Sequence, residues 1–208
     1  MSGDLDRVAI ADLIGRERSA RDSGDWNGIA GCYSEDSSVD ISWFRGTGAE
    51  FAKASAGMAA RLFSFHEIGA SIIDICGDRA LGDTTCSIHL VGDLEGIGVD
   101  VIGYVRNRTR AKRESGQWRL AGLRTIYIHD LIVPLNPSSV PQILPEVLEK
   151  YRRSYRALSH MLVSHGLSAR DDLPGVDRPG TVAALIASER AWLNSQTPVV
   201  GGTQSAST

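Results

Sequence analysis

Two side chains in the first third of the chain could together move a proton. Asp22 lies in Arg21-Asp22-Ser23-Gly24-Asp25-Trp26, and His66 in Phe65-His66-Glu67-Ile68. A neutral imidazole near pH 7 can take a proton from carbon or hydroxyl, and a carboxylate bonded to its other nitrogen fixes the tautomer and stabilises the imidazolium that forms. The same imidazole can then protonate a leaving hydroxyl, which brings elimination of water within reach. Nothing in that chemistry requires a metal or another cofactor. The plainer reading of Asp22 is a helix-terminal acid paired with Arg18 or Arg21, and of His66 an imidazole bonded to a nearby carbonyl. An acid is slightly unfavourable at the negative end of a helix dipole, which argues for a special purpose at Asp22.

The elements around these two residues can be read from periodicity and turn chemistry. Leu5, Val8, Ala9, Asp12, Leu13, Arg16 and Ala20 recur at helical spacing and predict a first helix with this stripe, ended by Ser23-Gly24. Asp25 caps a second helix over 26–33, so Asp22 falls at a helix-to-helix corner. Residues 37–44 alternate as a half-buried strand, and Gly46-Thr47-Gly48 turns it into an alanine-rich helix over 49–63 that buries Phe51, Ala54, Met58 and Leu62. From His66 onward four β segments follow, over 66–76, 79–92, 97–112 and 117–130, separated by short turns. Helices first and an antiparallel meander after predict an α+β domain over 1–134, with the helices on one face of a strongly bent sheet. Prolines 134, 137, 141 and 145 introduce a helical extension over 135–196, with helices at 146–165 and 181–194 that pack on each other or on a partner subunit. Residues 197–208 have the composition of a disordered tail.

Composition narrows the function. The chain has 208 residues, 42% hydrophobic and 23% charged, and a formal net charge of -3, the profile of an ordinary globular protein with no affinity for nucleic acid to be expected. Arg106, Arg108, Arg110, Lys112 and Arg113 alternate as on one face of a strand end and read as a solvated edge. Three cysteines, Cys32, Cys76 and Cys86, have no metal-ligand spacing and no even pairing, which fits a reducing cytoplasm. No basic leader or long apolar run predicts export or membrane insertion. His160 and His165 lie five apart, not on one helical face, so no metal site is expected there. Phosphate-binding loops, dinucleotide fingerprints and nucleophile elbows are missing from the sequence.

Several short motifs occur in a telling order: Arg21-Asp22-x-x-Asp25-Trp26, then Cys32-Tyr33-x-x-Asp36, then Trp43-x-x-Gly46-x-Gly48-Ala49-x-Phe51, then Gly116-x-Trp118-Arg119-Leu120. Over about residues 4–134 this resembles the cone-shaped fold of the nuclear transport factor 2-like superfamily, and more closely its SnoaL-like branch. In the scytalone dehydratase, bile acid 7α-dehydratase and lindane dehydrochlorinase relatives, an Asp near the end of the first helix and a His opening the first meander strand form the catalytic dyad. The matching positions here are Asp22 and His66. The resemblance further implies a second histidine on the next strand, for which His89 stands at a comparable place. Ketosteroid isomerases and polyketide cyclases share the fold without that dyad, so fold alone does not choose the chemistry.

Strand parity grades the remaining candidates. His89 shares a face with Ser87, against Cys86, Ile88 and Leu90, and is either in the pocket or on the outer surface. Leu123, Thr125, Tyr127 and His129 share a face, and the register of Trp118 against the relatives turns that face inward. Tyr127 and His129 are therefore expected in the pocket rather than Arg124. Tyr33 and Tyr104 could each donate a hydrogen bond to a substrate carbonyl or leaving group, or could simply pack. Trp43, Phe44, Phe51, Met58, Phe63 and Phe65 offer apolar walls suited to a hydrophobic or aromatic substrate.

The leading expectation is a cofactor-independent lyase of the dehydratase kind, a homodimer or homotrimer in the cytoplasm. An isomerase or cyclase comes second, and a non-catalytic binding or assembly module third. Separation of Asp22 and His66 by more than about 5 Å would favour the third.

Overall fold

The last turns of the first helix settle how everything else is arranged. α1 (Ser2–Ser23) buries Ile10, Ile14, Glu17, Arg18 and Arg21, one face at 3.6-residue periodicity. The computed structural model describes residues 2–195, so the tail expected to be disordered over 197–208 lies outside the described residues. The apolar stripe expected from Leu5, Val8 and Ala9 is on the solvent side instead, with Leu5 72% and Val8 67% exposed. The reason is that the true inward face is apolar only in its first half and charged in its second.

Gly24, in the left-handed region at φ +76°, makes the corner after α1. Asp25 then caps α2 (Trp26–Cys32), its Oδ1 accepting from Gly28 N at 2.9 Å. β1 (Tyr33–Ile41) and β2 (Phe44–Gly46) form a hairpin, so the strand expected over 37–44 starts earlier and is folded back at Ser42-Trp43. Thr47 and Glu50 close a capping box that starts α3 (Gly48–Ala59).

β3 (Phe63–Cys76), β4 (Arg79–Leu94), β5 (Ile97–Glu114) and β6 (Gln117–Pro134) form the expected antiparallel meander. The whole sheet has the order β2-β1-β6-β5-β4-β3 and is mixed, because β1 pairs with β6 in parallel. No tight turn joins those two strands, so parallel pairing is open to them. Register shifts between Ile68 and Ser71 and between Tyr104 and Val105 bend the sheet around α1 and α3. The basic residues of β5 lie on a central strand, not an edge. Arg106 and Arg108 pair with Asp83, Arg110 with Glu189, Lys112 with Asp36 and Arg113 with Asp6.

The segment after Pro134 completes the core. The helix expected over 146–165 is split into α4 (Pro145–Leu148) and α5 (Arg156–Ser164). Between them Arg152 turns inward and is used on every side. Nε and Nη2 donate to Asp177 at 2.8 and 2.7 Å, and Nη1 to the carbonyls of Asp171 and Leu173 at 2.8 and 3.1 Å. Asp130 of β6 accepts from Leu158 N at 2.8 Å, which seats the start of α5 on the inner face of the sheet. Leu158 then fills the space over Gly103, where a Cβ would come within 2.3 Å of Leu158 Cδ1. Tyr155, Leu158, Met161 and Leu162 join Met58, Leu90, Val101, Val105 and Tyr127 in one buried cluster. α6 (Pro179–Asn194) packs on the outer face, through Glu189 on Arg110 and the Trp192 carbonyl on Arg79. The two main tail helices thus pack on opposite faces of the sheet rather than on each other.

Arg152→Leu leaves Asp177 without its buried partner and is expected to cost about 3–5 kcal/mol. A lower melting temperature, with new protease cleavage confined to 135–178 and the meander retained by circular dichroism, is the outcome to look for.

Candidate active site

Asp22 and His66 meet. The last turn of α1 presents Asp22 beside the beginning of β3, and the carboxylate takes both hydrogen bonds that His66 can offer it. Oδ2 accepts the backbone N–H of His66 at 2.9 Å and Oδ1 accepts from Nδ1 at 2.7 Å. On the other side of the ring, Arg18 Nη1 donates to Nε2 at 3.1 Å. A guanidinium can only donate, so Nε2 carries a lone pair and Nδ1 the proton. Both neighbours therefore select the same tautomer, with the basic nitrogen turned away from Asp22. The pairing of Asp22 with Arg18 or Arg21 that the sequence also allowed is not what forms.

Arg18 is itself held rigidly. Its Nε and Nη2 donate to the two oxygens of Glu17 at 2.7 and 2.6 Å, and Tyr33 donates its hydroxyl to Glu17 Oε1 at 3.2 Å. Burial pulls the Arg18 guanidinium down, but the adjacent Glu17 carboxylate outweighs this and holds it above its ordinary value. Arg21, one turn on, is also buried; its Nη2 reaches Met58 Sδ at 3.2 Å and Ser64 Oγ at 3.3 Å. Burial, reinforced by the charge of Arg18, pushes its guanidinium down to about 10.

The same forces act on the dyad. Burial first, and then the positive charge of Arg18, push His66 down to about 4 in spite of Asp22. For Asp22, burial works to raise the pKa, but the hydrogen bonds and charge of His66 outweigh it and hold the carboxyl below its usual range. At neutral pH the pair is thus a carboxylate bonded to a neutral imidazole.

His66 lines a cavity of about 40 Å³. Trp43, Phe51, Met58, Ile88, Leu90, Leu123, Leu158 and Leu162 supply apolar wall, and Arg18, Arg21, Ser42, Ser64, Asn107, Thr125 and Tyr127 supply polar atoms. Thr125 donates to Asn107 Oδ1 at 2.9 Å, and the Tyr127 hydroxyl accepts from Ser42 N at 2.9 Å.

Of the residues singled out from sequence, His66, Trp43, Phe51, Met58 and Tyr127 line this cavity, and the expected walls Phe44, Phe63 and Phe65 do not. Four further candidates lie elsewhere. Tyr33 stands behind Arg18, its hydroxyl committed to Glu17. His89 lies on the outer face of the sheet, stacked on Phe65 at 4.3 Å with Nδ1 2.7 Å from Asp100. Tyr104 and His129 pack against each other on that outer face, ring centroids 4.7 Å apart. Parity fails for His129 because Tyr104 pairs with His129 while Val105 pairs with Tyr127, leaving Ile128 as an extra residue that turns the rest of β6 over.

Glu17, Arg18, Arg21, Asn107, Ser42 and Ser64 are polar members to which sequence reasoning gave no part in the site. A signal for the first three exists: they continue the face of Ile10 and Ile14 with charge. For Asn107 it is an uncharged residue at the position that alternates with Arg106 and Arg108, in a strand whose other alternates are Val105, Thr109 and Ala111.

The chain belongs to the SnoaL-like domain family, which matches residues 5–124. It is 28% identical over 195 residues to pea pathogenicity protein 2 of Fusarium vanettenii, covering 91% of this chain and 84% of that protein. It is similar to a putative scytalone dehydratase from Novosphingobium aromaticivorans, with a TM-score of 0.51 and 19% identity over 59% of this chain and 85% of the other. Against hexachlorocyclohexane dehydrochlorinase LinA-type3 from Novosphingobium barchaimii the TM-score is 0.51, with 18% identity over 68% of this chain and 96% of the other. These two likenesses bear on the fold, and the α+β architecture is that of the nuclear transport factor 2-like superfamily.

Because His66 titrates lower in the folded chain than its ordinary value of 6.5, the unfolded chain binds a proton between about pH 6.5 and 4 that the folded chain does not. Stability is therefore expected to fall as pH drops through that window. Urea melts at pH 7 and 4.5 should show a smaller difference for His66→Gln than for the unsubstituted chain. His160, also lowered by burial, adds in the same sense, whereas Asp130, raised by burial to about 6, acts in the opposite one.

Proposed function

We propose that this protein is a cofactor-independent lyase that eliminates water or a similar group from a hydrophobic, ring-bearing small molecule. The observation that carries the reading is the Asp22 carboxylate on both N–H groups of His66, with the imidazole lining a largely apolar cavity. When substrate enters, Arg18 Nη1 turns from Nε2 to the leaving oxygen. His66 Nε2 then takes a proton from a substrate carbon, the C–H electrons form the double bond, and the carbon–oxygen bond to the neighbouring carbon breaks. The leaving oxygen then recovers the proton from Nε2 and departs as water. Asp22 holds the tautomer before the transfer and balances the imidazolium during it.

Arg18 gives the site a condition. An imidazolium beside a fixed guanidinium is unfavourable, so proton abstraction is favoured only when negative charge develops on the substrate within reach of that guanidinium. A departing oxygen supplies such charge. Two structural neighbours bear names of eliminating enzymes, a dehydratase and a dehydrochlorinase, which agrees with this choice over isomerisation.

Asp22→Asn and His66→Ala are each expected to lower turnover by about 10²- to 10⁴-fold with the far-ultraviolet spectrum preserved. Full turnover in either variant on a verified substrate would refute the dyad. A product lighter by one water marks elimination, whereas an unchanged mass marks isomerisation. The rate should show no titration between pH 6 and 7 from the free protein, since His66 titrates at about 4.

A further inference from the structure

Arg21 is the group that proton transfer leaves unused. Its side chain belongs to a residue 3% exposed, lines the cavity with His66 and, among the described residues, makes hydrogen bonds only through Nη2, to a thioether sulfur and a hydroxyl. Trp26 lies under the guanidinium at 5.9 Å. Among the described residues, Glu17 is paired with Arg18 and Asp22 with His66, and no carboxylate reaches ion-pair distance of Arg21. A sulfur and a hydroxyl are weak counterparts for a full charge; Asp22 and Glu17 act on it only from a distance, and a buried cation with no ion-pair contact is costly to keep. Arg18, three residues earlier, shows the contrast: three of its five N–H groups go to Glu17 and His66, and its charge is matched by the Glu17 carboxylate.

We propose that the cavity takes an organic anion, a carboxylate on a cyclic and mostly apolar body, with the carboxylate seated on Arg21 and the ring against Trp43, Phe51 and Leu158. This rests on the reading of the cavity as the substrate site and narrows its substrate class. A single unpaired guanidinium suits one negative charge, and the hydroxyl of Ser64 beside it suits a second hydrogen bond to the same group. A phosphate dianion would need a further free cation, and the apolar wall would leave the rest of a sugar or nucleotide unsatisfied.

The test uses the full chain and calorimetric binding of sodium benzoate, with benzamide as the neutral isostere and sodium chloride at matched ionic strength. Benzoate is expected to bind at least about tenfold tighter than benzamide. Arg21→Met should abolish that preference while melting no lower than the parent without ligand, because methionine fills similar space with no charge to bury. Arg21→Lys should keep part of the preference, which separates loss of charge from loss of fold. Asp22→Asn should keep all of it while losing turnover. Equal binding of the two probes, no benzoate binding in the millimolar range, or a preference that survives Arg21→Met would each overturn the proposal. An intact preference with undiminished turnover in Asp22→Asn would sink the dyad and leave the anion site standing.

Discussion

The burial of charge at the end of α1 is the constraint on which the rest of this structure depends. Glu17, Arg18 and Arg21 are drawn out of water by the same helix face that carries Ile10 and Ile14 into the core, and Asp22 is half-buried beside them. Charges in that position must find partners, and each has few choices. Glu17 takes Arg18 and the hydroxyl of Tyr33; Asp22 takes the side chain and the backbone of His66. The helix can therefore dock on the sheet in only one register, and that register brings the acid and the imidazole together.

Everything else keeps this end dry. α3 brings Phe51 and Met58 across the cavity, the β1–β2 hairpin brings Trp43, and α5 closes the remaining side with Leu158 and Leu162. The low polarity that results is what holds His66 neutral and pushes Arg21 down. The C-terminal segment has a direct part in this. Without α5 over Gly103, the dyad would face solvent, and the electrostatic coupling between Arg18 and His66 would be screened. The clamp of Arg152 on Asp177 and on the carbonyls of Asp171 and Leu173 is what ties that segment down.

The meander was legible because strand alternation and glycine turns are local properties. Gly77, Gly96 and Gly116 all sit in the left-handed region their turns require, and the strands end within a few residues of where the turns predict. Asp22 and His66 were legible as candidates as well, through the resemblance that the motif order carries. What misled was any step that assumed inward means apolar. Leu5 and Val8 were expected inside and are out, while Glu17, Arg18 and Arg21 are in. Local rules of this kind tend to fail where a site is built.

By itself, then, the chain's sequence determined most of the elements and their order, since each follows from spacing along a single segment, and it offered the acid and the imidazole as candidates through a family resemblance. Tertiary structure alone decided which face of α1 is buried, that Arg18 occupies the basic nitrogen of His66, and that α5 seals the cavity. It also sent His89, Tyr104 and His129 to the far side of the sheet, the last through one extra residue at Ile128. Such outcomes depend on which charges can be paired once segments far apart in the chain are packed, and a one-residue slip in a strand reverses every side chain beyond it.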